Sequence, residues 1–304
     1  MDALTTIATP FADDRAALRA VAEQGAGLCT IVGIEGSFSR RLGAQLAVHG
    51  DGAVTGSLAD GCLENQLATE ILSGGERRVM RFGAGSPLID FRLPCGGGLD
   101  ILIDPAPDRA AARAALDRLD ARAPASLALP VPAGSQLLAE RRFIPPLRLV
   151  LFGEGPELEA LAGIGAAAGL VVETHGKDGP ADNGVGGPAS ARAPSSPLAL
   201  GQRPEIAAAD PWSAVVLLFH DHEWEQALLE WALASPAFYV GAQGGRAARE
   251  KRLVRLVEAG FDAGTIARVK SPVGVIRHSR EPVALALSAL AQIVGGYEAL
   301  HPHS

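Results

Sequence analysis

Two rhythms of apolar and polar positions run along this 304-residue chain, and the change between them divides it. In the first stretch, helical spacing alternates with short strand-like runs. ADDRAALRAVAEQG has the helical period and acidic residues at its start. GLCTIVGI is a strand-like run. AQLAVHGDGAVTGSL reads as a hairpin, two alternating runs joined by a turn at Asp51-Gly52. CLENQLATEILSGG follows as a helix closed by Gly-Gly. RRVMRF and LDILID predict further strands, and DRAAARAALDRLDA an amphipathic helix. SLALPVPAGSQLLAERRF suggests another hairpin, with Gly134 at its turn.

The rhythm changes at FIPPLR, residues 143–148, because Pro145-Pro146 fits neither a helix interior nor a central strand. Beyond it LRLVLFGEG is a strand entering a glycine turn, PELEALAGIGAAAGL a helix and LVVETHG a second strand. This βαβ unit implies a parallel sheet. WSAVVLLFH, AFYVGAQ and a short RVKSPVG continue it, with helices between. VALALSALAQIV, interrupted by Ser288 and Gln292, reads as a buried helix. Residues 176–201 are rich in Gly, Pro, Ser and Ala and predict a flexible insertion. The expected fold class is α/β. A mixed α+β amino-terminal domain (1–145) precedes a Rossmann-like parallel-sheet domain (146–304).

Composition narrows the function. A chain of this length accommodates two domains with a core each. The net charge of −7 supplies no overall basic field for nucleic acid, so anion binding must come from local clusters. The first residues lack a basic segment followed by an apolar one, and no apolar run is long enough to span a membrane. Cys29, Cys62 and Cys95 are an odd, sparse set that suits a reducing cytosol, and a cytoplasmic protein is expected.

Six places carry candidate chemistry. EGSFSRRLGA, residues 35–44, crowds two arginines and two serines into one bend between apolar runs. ADGCLENQ sets Cys62 at a helix start after Gly61, where the helix dipole lowers a thiol's pKa. PCGGGLD sets Cys95 before Gly96 and two more glycines, which permit close approach of a ligand. Either cysteine alone is more often a small buried hydrophobe, and Cys29, in mid-strand, is assigned to the core.

The other places lie in the second half. Gly153 and Gly155 of GEGPEL turn from strand to helix as in a dinucleotide fingerprint, but the third glycine is missing and Glu157 stands where a pyrophosphate would sit. Glu173 is read as the end of the second strand, the place of a ribose-binding acid. His220, Asp221 and His222 close the strand VVLLFH. They either cap the next helix and line a crevice or share a metal, the cap being favoured. Gly244, Gly245 and Arg246 open another helix, on which Arg246, Arg249 and Arg252 recur every third residue along one expected side. That makes an oxyanion site or a solvated face balanced by Glu250.

Taken in order, these residues resemble the XdhC/CoxI family, accessory proteins of xanthine dehydrogenase and related molybdenum hydroxylases. IVGIEGSFSRRLGAQLAVHGDGAVTGSLADGCLENQL is similar to its amino-terminal domain. LVLFGEG, LFHDHEWEQ, YVGAQGGRAAREKR and SPVGVIRHSREPVALALSALAQIV follow in the family's order. The departures are Phe38-Ser39 for a serine-proline, Gly-Glu-Gly-Pro for Gly-Ala-Gly-His, and Gly274 to Ser279 for Gly-Leu-Asp-Ile-Gly-Ala.

The resemblance implies a maturation factor more than an enzyme. Such a protein binds the molybdenum cofactor (molybdopterin), protects it while sulfur is installed, with a cysteine desulfurase as an expected partner, and passes it to a hydroxylase client. It implies that Glu35, Ser37, Ser39, Arg40, Gly61, Cys62, Cys95 and Gly96, with the crevice residues above, hold the cofactor. Arg40 is the first choice for a phosphate or oxo contact and Arg41 is expected to turn to solvent. Cys62 and Cys95 are the candidate molybdenum ligands. A homodimer fits as well. The alternative is an NAD(P)-dependent oxidoreductase using the Rossmann-like half.

Overall fold

The computed structural model describes residues 15–59, 61–86, 96–177, 197–276 and 279–303, with Cys62 described by its backbone. Cys95, Arg277, His278 and most of the insertion expected at 176–201 lie outside these residues. The chain forms two compact units, one running to Pro145 and the other from Pro146 to Leu300. Residues 301–303 join the first unit, not the second, because His303 Nε2 accepts the backbone N–H of Arg142 at 2.9 Å.

The first unit is built on a five-stranded antiparallel sheet in the order β3-β2-β1-β5-β4. Its strands are β1 (Gly27–Glu35), β2 (Gln45–Val48), β3 (Val54–Gly56), β4 (Arg78–Gly83) and β5 (Gly98–Asp104). The two-residue side-chain period of β1 decides which layer each residue joins. Leu28 faces a cluster with α1 (Ala16–Gln24) and α3 (Arg109–Asp120). Cys29 and Ile31 face the opposite side, packed with Leu63, Leu67 and Ile71 of α2 (Cys62–Leu72). A separate two-stranded ribbon, β6 (Ala125–Ala128) and β7 (Glu140–Phe143), is the hairpin expected around Gly134.

The second unit is a parallel sheet in the order β12-β11-β10-β8-β9. The strands are β8 (Arg148–Gly153), β9 (Val171–His175), β10 (Ser213–Leu218), β11 (Tyr239–Ala242) and β12 (Val269–Lys270). Every residue of β8 and β10 is buried, because helices cover both faces. Leu149, Leu151, Val216 and Leu218 pack towards α4 (Pro156–Ala167) and α8 (Pro282–Glu298). Val150, Phe152, Val215 and Leu217 pack towards α5 (Glu225–Ala234) and α6 (Arg246–Glu258), with α7 (Ala263–Ala267) beside them.

The polar residues inside α8 have structural work. Ser288 Oγ accepts the N–H of Ile276 at 2.7 Å, and Gln292 Oε1 accepts from Tyr239 and from the N–H of Gly274 at 2.6 and 2.9 Å. They hold the Gly274–Ile276 loop to the helix, while Val283 and Leu287 on the same helix are exposed.

Candidate functional site

Strand direction brings the candidate loops of the first unit together. In an antiparallel sheet the end of one strand lies beside the start of its neighbour. Leu46, near the start of β2, pairs with Gly56 at the end of β3. Glu35, which ends β1, pairs with Gly98, which starts β5, and Gly98 also faces Gly83 at the end of β4. The arginine loop, the turn into α2 and the segment from Gly96 into β5 therefore leave from one end of the sheet.

The arginine loop is anchored at its apolar positions and open at its polar ones. Phe38 and Leu42 pack against the α2-side core, whereas Ser37, Ser39 and Arg40 are exposed. Arg40 donates through Nε to the Ser57 carbonyl and through Nη2 to the Ser57 hydroxyl, both at 3.2 Å. Arg41 is the half-buried arginine. The expected exposure of Arg41 is thereby corrected: the loop's apolar anchors draw it inward.

Ser57 leads directly to the start of α2. There Glu64 gathers the backbone N–H groups of Leu58, Ala59 and Gly61 at 3.0, 2.6 and 2.8 Å. Burial alone would push the Glu64 carboxyl up, but these backbone donors outweigh it and hold the group below the ordinary carboxylate range. Arg40, Ser57, Glu64 and Gly61 thus form a hydrogen-bonded chain from the arginine loop to the first residue of α2, Cys62. Gly61 is its N-cap. Cys29 belongs to the core, as expected, and burial pushes its thiol up to about 12.

Sequence reasoning missed Arg81. It donates to Glu35, to Asp100 at 2.8 Å and to the Ala84 carbonyl at 2.9 Å, so it pins the ends of β1 and β4 to β5. Glu35, a candidate cofactor contact, is bonded to Arg81. The available signal was the cross-strand pairing of Arg81 with Asp100, opposite charges on neighbouring strands.

In the second unit the strand order reverses between β8 and β10, where open α/β sheets hold their ligands. Gly153 ends β8 with φ 150°, and a Cβ there would stand 2.4 Å from the Leu218 carbonyl oxygen. The adjoining turn is acidic. Glu154 Oε1 accepts from Lys177 Nζ at 2.6 Å, and Glu157 Oε2, in the first turn of α4 after Gly155, lies 3.5 Å from His220 Nε2. Glu173 does not end its strand. β9 runs on to His175, and Glu173 faces Arg148 at 3.6 Å from within it.

The expected arginine face of α6 also divides. Arg246 is 92% exposed and bonds Glu250 at 2.8 Å, while Arg252 turns inward. Six residues rotate a helix by about 600°, which leaves the two roughly 120° apart. Arg252 meets both oxygens of Glu225 at 2.8 and 3.1 Å and donates to the Gln243 carbonyl at 2.6 Å. Glu225 Oε1 lies 3.1 Å from His222 Nδ1. Gly244, with φ 128°, lets the chain pass these groups: a Cβ would lie 3.2 Å from the His222 ring and 3.3 Å from Arg252. His220, Asp221 and His222 border a cavity of about 300 Å³ between α5 and α6. The favoured cap reading is corrected: α5 has Trp224 at its N-cap with no side-chain cap bond, and Asp221 Oδ1 accepts the N–H of Glu223 at 3.1 Å in the preceding turn. Among the described residues no cluster of three or more His, Cys, Asp or Glu could hold a metal ion, and no helix is long and apolar enough to cross a membrane.

Known proteins share both halves. Residues 20–83 match the XdhC and CoxI family, and residues 149–293 match the XdhC Rossmann domain. The chain is 33% identical over 302 residues to the molybdenum cofactor insertion chaperone PaoD of Escherichia coli (strain K12), covering 92% of this chain and 88% of that one. A crystal structure from Bacillus halodurans, described as a xanthine dehydrogenase, shares the fold with a TM-score of 0.70. Its identity is 18%, over 94% of this chain and 96% of that one. These similarities establish that the chain belongs to the XdhC and CoxI family.

Proposed function

We propose that this protein binds the molybdenum cofactor and delivers it to a molybdenum hydroxylase of the xanthine dehydrogenase type, acting as a carrier and not as a catalyst. The observation that carries this reading is the convergence of three loops at one end of the sheet. They present Arg40, Ser37 and Ser39 from one loop, Gly61 and the start of α2 from the second and Gly96 from the third, with Cys95 and the Cys62 side chain outside the described residues. The cofactor is an anionic pterin with a phosphate and a dithiolene-bound metal. Exposed guanidinium and hydroxyl donors suit its oxyanions, and a thiol at a helix start suits its metal. In this reading Arg40 and the serines contact oxygens while Cys62 and Cys95 hold molybdenum. Glu35 acts through Arg81 to set the loop.

The relative named as a molybdenum cofactor insertion chaperone supports the reading. The crevice residues Gly153, Gly155, His220, Asp221, His222, Gly244, Gly245 and Arg246 are a separate set of candidate contacts within the second unit. A cytoplasmic location, a cysteine desulfurase as sulfur source and a homodimer complete the proposal. Nucleotide-dependent hydride transfer is the weaker reading, because Glu154 and Glu157 occupy the turn where a pyrophosphate needs N–H groups and no negative charge.

The test is metal and pterin content after co-expression with cofactor biosynthesis. Molybdenum and an oxidisable, fluorescent pterin should co-purify with the chain. A pure chain that carries neither, and takes up neither when mixed with free cofactor, overturns the reading. Parallel thermal shifts with NAD and NADP should be flat.

A further inference from the structure

The cavity between α5 and α6 has two chemically different walls. On α6 the residues that line it are Ala248, Lys251, Arg252 and Arg255, spaced i, i+3, i+4, i+7, which is one helix face. Arg252 is committed to Glu225, with both side chains nearly inaccessible at 4% and 3% exposure. Lys251 and Arg255 are exposed and give this wall donors that face an anion.

The opposite wall is built from acceptors. Glu225, clamped by Arg252, lies 3.1 Å from His222 Nδ1. A carboxylate accepts, so the His222 ring donates to it from Nδ1. Asp221 and Glu223 stand beside it on the same loop. A simple anion satisfies only one of these walls. A ligand with a phosphate at one end and N–H or amino donors at the other satisfies both. A cavity of about 300 Å³ is at the lower end of small-molecule sites and suits one bicyclic ring.

We infer that this cavity is a binding site for a phosphorylated heterocycle with a 2-amino-4-oxo-pyrimidine edge, the phosphate on Lys251 and Arg255 and the amino edge on His222 and its acidic neighbours. The inference rests on the cofactor reading above, since a pterin presents that edge. Guanine presents it too, and guanosine 5′-monophosphate is therefore the probe.

The experiment titrates the full chain, purified without cofactor, with guanosine 5′-monophosphate, adenosine 5′-monophosphate and inorganic phosphate by calorimetry. Guanosine monophosphate should bind about tenfold more tightly than adenosine monophosphate, and inorganic phosphate most weakly. K251A/R255A, which changes exposed side chains, should weaken all three. H222A should bring guanosine monophosphate down to the adenosine level and leave phosphate binding in place. Equal binding of the two nucleotides, or unchanged binding by K251A/R255A, overturns the inference. Cofactor retention is scored separately. A chain that retains molybdenum cofactor but ignores guanosine monophosphate removes the cavity and leaves the carrier reading intact. Guanosine monophosphate binding without cofactor retention does the reverse.

Discussion

Arg252 and Glu225 meet through two hydrogen bonds, at 2.8 and 3.1 Å, with their side chains 4% and 3% exposed. A buried pair of this kind is costly to break from one side, because the remaining charge is left without compensation. R252A should therefore lower stability by about 3–5 kcal/mol, read as a drop in the urea midpoint. It should also free His222, whose Nδ1 partner is the same carboxylate. A midpoint within experimental error of the wild type would show that the pair does not hold α5 to α6.

Glu64 gives the protein a defined acid response. Its folded pKa is below the unfolded value, so its contribution is present above the ordinary carboxylate range, about 4.3, and is lost as pH falls through the folded value. E64Q should therefore be less stable than the wild type at neutral pH, and the gap should narrow as both are acidified below about pH 4. Denaturant midpoints across that range check it. A gap that stays constant with pH would remove the carboxylate charge from the capping role.

Cys29 should be chemically silent. Its thiol, pushed up to about 12 by burial, is protonated at neutral pH and inaccessible to reagents. Mass spectrometry after iodoacetamide at pH 8 should find Cys29 modified only in unfolded protein, while the proposed ligand Cys62, at a helix start, is modified in the native chain. Native labelling of Cys29 would contradict the packing of β1 against α2.

Arg40 links two loops, so its removal should be felt at both. R40A should weaken cofactor binding by about 1–3 kcal/mol if the guanidinium contacts an oxyanion. S57A keeps the guanidinium and its bond to the Ser57 carbonyl and removes a hydroxyl that bonds Arg40, Ala59 and Glu64, so it should cost less. Equal losses in the two variants would mean that the Arg40–Ser57 tether, and no oxyanion contact, is what matters.

Local signals were the legible ones. The Asp51-Gly52 turn is confirmed by the His49 N–H bonding the Ala53 carbonyl at 2.8 Å, because such a turn is specified within a few residues. The βαβ order of the second unit followed from apolar runs and a glycine turn in the same way. What escaped depends on facing and register. The arginine triplet on α6 could not show which member turns inward until the packed side of the helix was known. Arg81 acquires its roles only when β4 aligns with β5. Glu173 was misplaced because the end of β9 is set by its pairing with β8, where Phe152 faces His175, and no residue within LVVETHG marks it. Convergence of the three loops in the first unit needs the strand order, which no window of sequence contains.

The acidic turn between Gly153 and Leu158 has a bearing on how this architecture could change its ligand. Glu154 is tied to Lys177, and Glu157 sits near His220. Neutralising either carboxylate alone would leave the other repelling a diphosphate and would strand a cationic or imidazole neighbour. Conversion to a dinucleotide holder would thus require at least two coordinated replacements, a gap that single-step drift in this lineage would not readily cross.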